Sequence, residues 1–185
     1  MAEVSLVPLQ QCLRHQQRAF KHFFAKRARY PSFKSKKHRQ SATFARSAFA
    51  DCDGQITLAK CSEPLNIRWS RDLPSAPSSV TIFQDRAGRY FISCLCKVEP
   101  EALPITPKMV GIDLGLKDLF VISDGQWVNN PRHTARYARK LARAQRQLSR
   151  KQKGSNNRAK ARLKVARCHA KIAETRRDYL RKLTC

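Results

Sequence analysis

Asp113 is the one acidic residue of this chain whose setting suits chemistry better than solubility. It sits in the run MVGIDLGLKDLFVISDGQWV, residues 109–128, among Val110, Ile112 and Leu114, with Gly115 following. The apolar neighbours predict a carboxylate inside a buried strand. Burial of an ionised carboxylate is costly unless something compensates it, and a divalent cation is a common compensator. A strand-borne aspartate can hold Mg²⁺ that polarises a phosphodiester and activates water. The other acids suit this role less well. Asp118 and Asp124 fall at a strand start and in a tight turn, and Glu174 and Asp178 lie one helical turn apart in a helical stretch.

The remaining chemistry-bearing residues are basic, aromatic or thiol. There are 38 Lys and Arg against 13 Asp and Glu, a formal net charge of +25. Self-repulsion of that size opposes compaction, and a polyanionic partner is the usual reason for it. Nucleic acid fits best; an anionic membrane surface is the minor alternative. The excess is concentrated. Residues 26–39, KRARYPSFKSKKHR, hold seven Lys and Arg and no acid, interleaved with Tyr30 and Phe33. That mixture suits a segment that tracks a phosphate backbone and stacks on bases. From Arg132 onward there are 19 Lys and Arg and two acids, so +17 of the +25 lies there. The residues expected to touch phosphates, without reading bases, are Lys34, Lys36, Lys37 and Arg39, then Arg139, Lys140, Arg143, Arg146, Arg150, Lys151, Lys153, Arg158 and Lys160. The seven cysteines are odd in number. Cys94 and Cys96 form a C-x-C, not a metal knuckle, and on a strand both thiols face one side. No further ligands at matching spacing complete a zinc site.

The elements that must position these groups follow from periodicity. Residues 5–28 predict a helix with Leu6, Leu9, Leu13, Phe20 and Phe24 on one face, ended by Pro31. Residues 43–98 predict short strands, TFARSAF, QITLA, LNIRW, SVTIF and YFISCLCKV, separated by turn signals. Such spacing suggests a small barrel or sandwich. VTIFQDRAGRYFIS predicts a hairpin turning near Ala87-Gly88. PEALPITPK, residues 100–108, is the expected linker. Residues 109–128 predict a three-stranded meander, with Gly115 and Lys117 in the first turn and a type I′ turn at Asp124-Gly125. Residues 131–183 predict a helical hairpin, with Pro131 in its first turn and a break at residues 153–157. Its seam is expected along Tyr137, Leu141, Ala144 and Leu148, facing Leu163, Ala166, Ala170, Ala173 and Leu180.

A meander with an Asp on its first strand, then a helix, is how an RNase-H-like core begins. A G-x-D-x-G strand also opens sugar-kinase and actin-like ATPase folds, and an Asp at a strand end can simply cap a turn. Three segments choose among these: LQQCLRHQQRAFKHFFAKRARYPSFKSKK, VGIDLGLKDLFVISDG, and the stretch from NPRHTARYARK to RRDYLRKLT. In this order they resemble the TnpB (OrfB) proteins of insertion sequences over nearly the whole chain. The resemblance implies a transposon-encoded, RNA-guided DNA endonuclease related to the type V CRISPR effectors, acting in the bacterial cytoplasm at the nucleoid. It implies an α+β chain. Residues 1–28 correspond to the end of a helical lobe. Residues 29–108 correspond to an incomplete wedge-like β-barrel. Residues 109–185 correspond to the first three strands of an RNase-H-like RuvC core with a basic helical hairpin insertion. Asp113 then matches the first RuvC aspartate, a catalytic residue and Mg²⁺ ligand.

The family's further strand with its glutamate, four-cysteine zinc ribbon and final aspartate have no counterpart within these 185 residues. Two-metal cleavage needs several carboxylates around a pair of ions. The expectation is therefore a chain that binds guide RNA and target DNA but neither holds Mg²⁺ productively nor cleaves by itself. Such a sheet normally has five strands and only three are encoded in these residues, so the sheet edge and one face are expected to be exposed. A second polypeptide completing the core, or service as a non-catalytic RNA- or DNA-binding regulator, are the alternatives. No apolar run approaches membrane-spanning length.

Overall fold

The computed structural model describes residues 5–33, 35, 40–102, 104, 105, 107 and 109–184. The first periodic segment forms α1, Val7–Phe24. Pro8 stands in its first turn, where a missing N–H leaves no hydrogen bond unmade. The helix stops well before Pro31, contrary to the sequence expectation. Lys26 takes a left-handed conformation (φ 57°). Its N–H donates to the Phe23 carbonyl, and the Arg27 N–H donates to that of His22, both at 2.9 Å. This is a Schellman closure, so local backbone hydrogen bonding ends the helix, not the proline. Tyr30 then folds back edge-on against Phe20 and Phe23, with centroids 5.7 and 5.2 Å apart. Leu6, Leu9 and Leu13 remain exposed.

The chain divides into two compact units, Met1–Pro100 and Glu101–Cys185. In the first, β1 (Gln40–Ala45), β4 (Ser79–Gln84) and β5 (Tyr90–Leu95) form an antiparallel sheet in the order β1-β4-β5. β2 (Phe49–Cys52) and β3 (Gln55–Leu58) form a separate hairpin. TFARSAF was expected as one run, but a 3₁₀ turn at Arg46–Ala48 splits it between the two sheets. Asp53 and Gly54 (φ 50° and 79°) make the type I′ turn that joins β2 to β3. LNIRW does not join a ladder as a strand. It lies as extended chain, with the Leu65 N–H on the Ile56 carbonyl at 2.8 Å. Leu65, Ile67 and Trp69 pack against the core of Phe49, Ile56, Leu58 and Val80. The indole of Trp69 donates to the Gly54 carbonyl at 2.9 Å. A run whose side chains seal a core needs no pairing of its own, and among the described residues the strands close no barrel.

The β4–β5 hairpin turns where expected. Gly88 is left-handed (φ 78°), and the Asp85 N–H donates to the Arg89 carbonyl at 2.9 Å. The Asp85 carboxylate in turn accepts from the Arg89 backbone N–H and from its guanidinium at 2.7–2.9 Å. Partial burial pushes this carboxyl up, but the Arg89 hydrogen bonds and charge outweigh it, and it sits below its ordinary value. A depressed carboxylate stabilises the fold above its unfolded value and stops doing so as pH falls through the folded one. Asp85→Asn is therefore expected to cost under about 1 kcal/mol at neutral pH, since the pair is partly exposed. Urea denaturation at pH 7 and again at about pH 2–3 checks this, with the difference between variant and parent shrinking in acid. On β5, Cys94 and the following Cys96 are both half-buried. Burial, then the nearby Cys96 and Asp51, push the Cys94 thiol up.

In the second unit, β6 (Ile112–Leu114), β7 (Asp118–Ile122) and β8 (Trp127–Asn129) form the meander, all antiparallel. A Cβ on Gly115 would lie 3.0 Å from the Asp118 carbonyl oxygen, so the first turn favours a residue without one. The second turn is not type I′. Only Gly125 is left-handed (φ 87°), and its N–H donates to the Ile122 carbonyl at 3.0 Å. Asp124 has no positive φ and its carboxylate accepts the Gln126 N–H at 3.0 Å, while the Ile122 N–H on the Gln126 carbonyl closes a three-residue loop. Helix α2 spans His133–Ser149 and α3 spans Asn156–Thr184. Pro131 lies outside α2, since the capping residue is Arg132, held left-handed (φ 46°) with its N–H on Asn130 Oδ1 at 3.1 Å. Ser155 begins α3, its hydroxyl accepting the Arg158 N–H at 3.2 Å.

The seam on α2 is half-buried at Tyr137, Leu141, Ala144 and Leu148 as expected. On α3 the expected seam is met in part. Leu163, Ala166 and Ala170 are half-buried and Ala173 and Leu180 exposed, while the buried positions are Ala161, Cys168 and Ile172. Apolar residues are dense enough on α3 to offer two stripes. Tyr179 ties the hairpin to the sheet, donating to the Asn129 carbonyl at 3.2 Å and meeting His133 edge-on. Among the described residues no helix is long and apolar enough to cross a membrane.

Candidate functional site

Asp113 lies at the centre of β6, opposite Val121 of β7. The expectation that it is buried fails: all three residues of β6 are exposed. β6 is an edge strand paired on one side only, and Ile112 and Leu114 on its other face are 63% and 77% exposed. Val121 and Trp127 share the Asp113 face by register and are exposed too. The carboxylate thus needs no compensating cation within this sheet, and Met109, Val110 and Leu116 of the flanking chain are exposed as well.

A hard cation such as Mg²⁺ takes one or two protein carboxylates together with waters and substrate phosphates. Asp113 can supply one such ligand. Among the described residues no group of three or more His, Cys, Asp or Glu side chains is placed to hold a metal. Asp124 is engaged in its turn, and Asp178 pairs with Lys182 at 2.8 Å. These residues alone therefore do not fit a two-ion centre.

The basic residues fall into three groups. Lys34, Lys36, Lys37 and Arg39 lie outside the described residues. Arg139, Lys140, Arg143 and Arg146 on α2, Arg150, Lys151 and Lys153 in the interhelical loop, and Lys160 on α3 are all exposed. Arg158 is different. Its guanidinium donates to the Leu148 carbonyl at 3.2 Å and the Lys151 carbonyl at 2.7 Å. It adds a side-chain donor to carbonyls at and just past the end of α2, where a cation also meets the negative end of the dipole. Arg158→Gln is expected to lower stability by about 1–2 kcal/mol, measured by thermal unfolding, while barely altering any salt-dependent binding.

The exposed cations are not spread evenly. Lys140 and Arg143 of α2 face Lys164, Arg167 and Lys171 of α3 across a groove of ≈ 410 Å³, floored by Tyr137, Ala144 and Cys168. No carboxylate lines it. Three of these five cations were not singled out from the sequence, although residues 164, 167 and 171 recur at the i, i+3, i+7 spacing of one helical face. That spacing was the available signal.

Comparison with known proteins bears on both features. Residues 93–185, which include Asp113 and the whole helical hairpin, match the OrfB family model of IS605, described as "Probable transposase". The chain is 54% identical over 187 aligned residues to a Streptomyces pristinaespiralis protein named "Putative RNA-guided DNA endonuclease", covering 100% of this chain and 46% of that protein. It is 38% identical over 180 residues to Escherichia coli K12 "Putative RNA-guided DNA endonuclease InsQ", covering 96% of this chain and 44% of that protein. The chain thus spans somewhat under half the length of these curated relatives. On the family match and these identities, the chain belongs to the OrfB (TnpB) family of transposon-encoded proteins.

Proposed function

We propose that these residues form the nucleic-acid-holding part of an RNA-guided DNA endonuclease, with Asp113 as the first carboxylate of a RuvC-type, Mg²⁺-dependent centre. The reading rests on the relatives' names and on one observation above others. A strand-borne Asp113 precedes a helical hairpin carrying 19 Lys and Arg against two acids. Guide RNA and target DNA are the partners that such a surface suits. In this reading the first unit is part of a wedge-like nucleic-acid-binding domain, and β6–β8 are the opening strands of an RNase-H-like core. The single ligand offered by Asp113 requires further carboxylates from a longer polypeptide or a second one.

The test is Mg²⁺-dependent cleavage of target DNA with the cognate guide RNA. Residues 1–185 alone are expected not to cleave. Supplemented with a polypeptide carrying the second half of a curated relative, they are expected to cleave, and Asp113→Asn is expected to abolish it. Cleavage unaffected by Asp113→Asn would remove Asp113 from the centre. Cleavage by residues 1–185 alone that vanishes in Asp113→Asn would show that they complete their own site. The exposure of Asp113 on an edge strand, with no group of three or more candidate metal ligands among the described residues, favours a second reading: a non-catalytic RNA- or DNA-binding regulator. Salt-sensitive binding without cleavage in the supplemented reaction would select it.

A further inference from the structure

We infer that the groove between α2 and α3 is a track for one single strand of nucleic acid, its phosphates bracketed between a cation row on each helix. The inference rests on the nucleic-acid reading above and adds which form is bound and where. Lys140 and Arg143 form one rim, and Lys164, Arg167 and Lys171 form the other. All five are exposed and no acid interrupts either row. The charge complementarity is therefore to a polyanion lying lengthwise along the groove.

Dimensions select a single strand. Helices packed on a shared seam lie about 8–10 Å apart, so the groove between their rims admits one backbone, and a duplex can only rest across the rims. The α3 row spans seven residues, a rise of about 10 Å along the helix. The floor agrees. Ala144 is half-buried and Cys168 buried, so bases or sugars would meet apolar surface there while the phosphates stay at the rims. Tyr137 lies in the same lining and presents a ring to the strand.

The experiment compares two charge-matched triple variants for binding of a 12-nucleotide single strand and the corresponding duplex, in RNA and in DNA. K164Q/R167Q/K171Q removes one rim. R162Q/R177Q/R181Q removes three exposed α3 cations that do not line the groove. The rim variant is expected to lose more than about tenfold in single-strand affinity and about 2 units of the log K against log salt slope. The off-groove variant is expected to lose less than about threefold, and duplex binding is expected to fall alike in both. K164R/K171R keeps the charge and is expected to keep the affinity. Equal single-strand losses in both triples would overturn the groove while leaving the nucleic-acid reading in place. Absence of salt-dependent binding to any oligonucleotide would overturn both.

Discussion

Ile56→Ala will cost the first unit about 3–5 kcal/mol, enough to unfold it or bring it close to unfolding. Ile56 is fully buried at 0% exposure, in a small core that it shares with the equally enclosed Val80 and the buried Phe49 and Leu58. Around it pack half-buried groups, Leu65, Ile67 and Trp69 from extended chain and Phe44, Ile82, Ile92 and Cys94 from the sheet. A core of this size has few atoms with which to collapse into a cavity, so the loss should fall in the upper part of the range for such truncations. The Leu65 N–H on the Ile56 carbonyl and the Trp69 indole on Gly54 depend on the same hairpin. Loosening that hairpin therefore releases the segment that seals it. For a unit of about 100 residues each kcal/mol lowers the melting temperature by roughly 4–8 °C, so a drop of about 15 °C or more is expected. Thermal unfolding followed by far-ultraviolet circular dichroism measures it. Leu13→Ala, at an exposed position of α1, is expected to change stability by less than about 0.5 kcal/mol. Equal effects at Ile56 and Leu13 would show that the core is not centred on the β2–β3 hairpin.

How far the sequence could be read depended on whether local or long-range forces decide each feature. The α1, β4–β5, β6–β8 and α2–α3 elements were legible because periodicity and turn residues act over a few positions. Termination of α1 was misassigned to Pro31 because a Schellman closure can use a non-glycine residue, here Lys26, which leaves no composition signal. The Asp124-Gly125 turn was misread for a related reason. The dipeptide permits two left-handed residues but does not enforce them when the Asp124 carboxylate captures the Gln126 N–H. LNIRW has the composition of a strand, yet its side chains serve a core whose shape is set by distant residues. The α3 seam was legible only in part, because its apolar residues satisfy two stripes and only the partner helix chooses between them. At the candidate site, the identity of Asp113 as the distinctive carboxylate was legible, but its exposure was not: an apolar neighbourhood in sequence says nothing of whether another layer covers the strand. The charge on the hairpin was plain from counting. Which five of the cations share one groove required knowing how the helices are rotated, and with that knowledge Arg158 also separates from its neighbours as a residue engaged in closing α2.

Binding of single-stranded RNA will weaken about a hundredfold when salt is raised from 50 to 200 mM. The magnitude follows from the groove. Five cations that neutralise about five phosphates release the corresponding counterions, giving a slope near −3.5 for single strands, and a fourfold rise in salt raised to that power is about 10². Further contacts from the exposed loop cations Arg150, Lys151 and Lys153 would steepen it, toward the 10³–10⁵ typical of six to ten phosphate contacts on duplex DNA. Equilibrium titrations of labelled RNA and DNA at four or five salt concentrations measure the slope. Two internal comparisons make the result specific. Arg158→Gln should melt earlier yet keep the slope, because its guanidinium is already committed to the Leu148 and Lys151 carbonyls. Ile172→Ala should act on the seam and not on the rims, lowering affinity only as far as the hairpin unfolds. A slope near zero for both RNA and DNA would overturn the nucleic-acid reading, because a surface with 19 cations and two acids that ignores salt is not engaging phosphates at all. A steep slope that Arg158→Gln flattens as much as rim substitutions do would mean instead that the committed guanidinium is released on binding, and that the end of α2 opens to accept the strand.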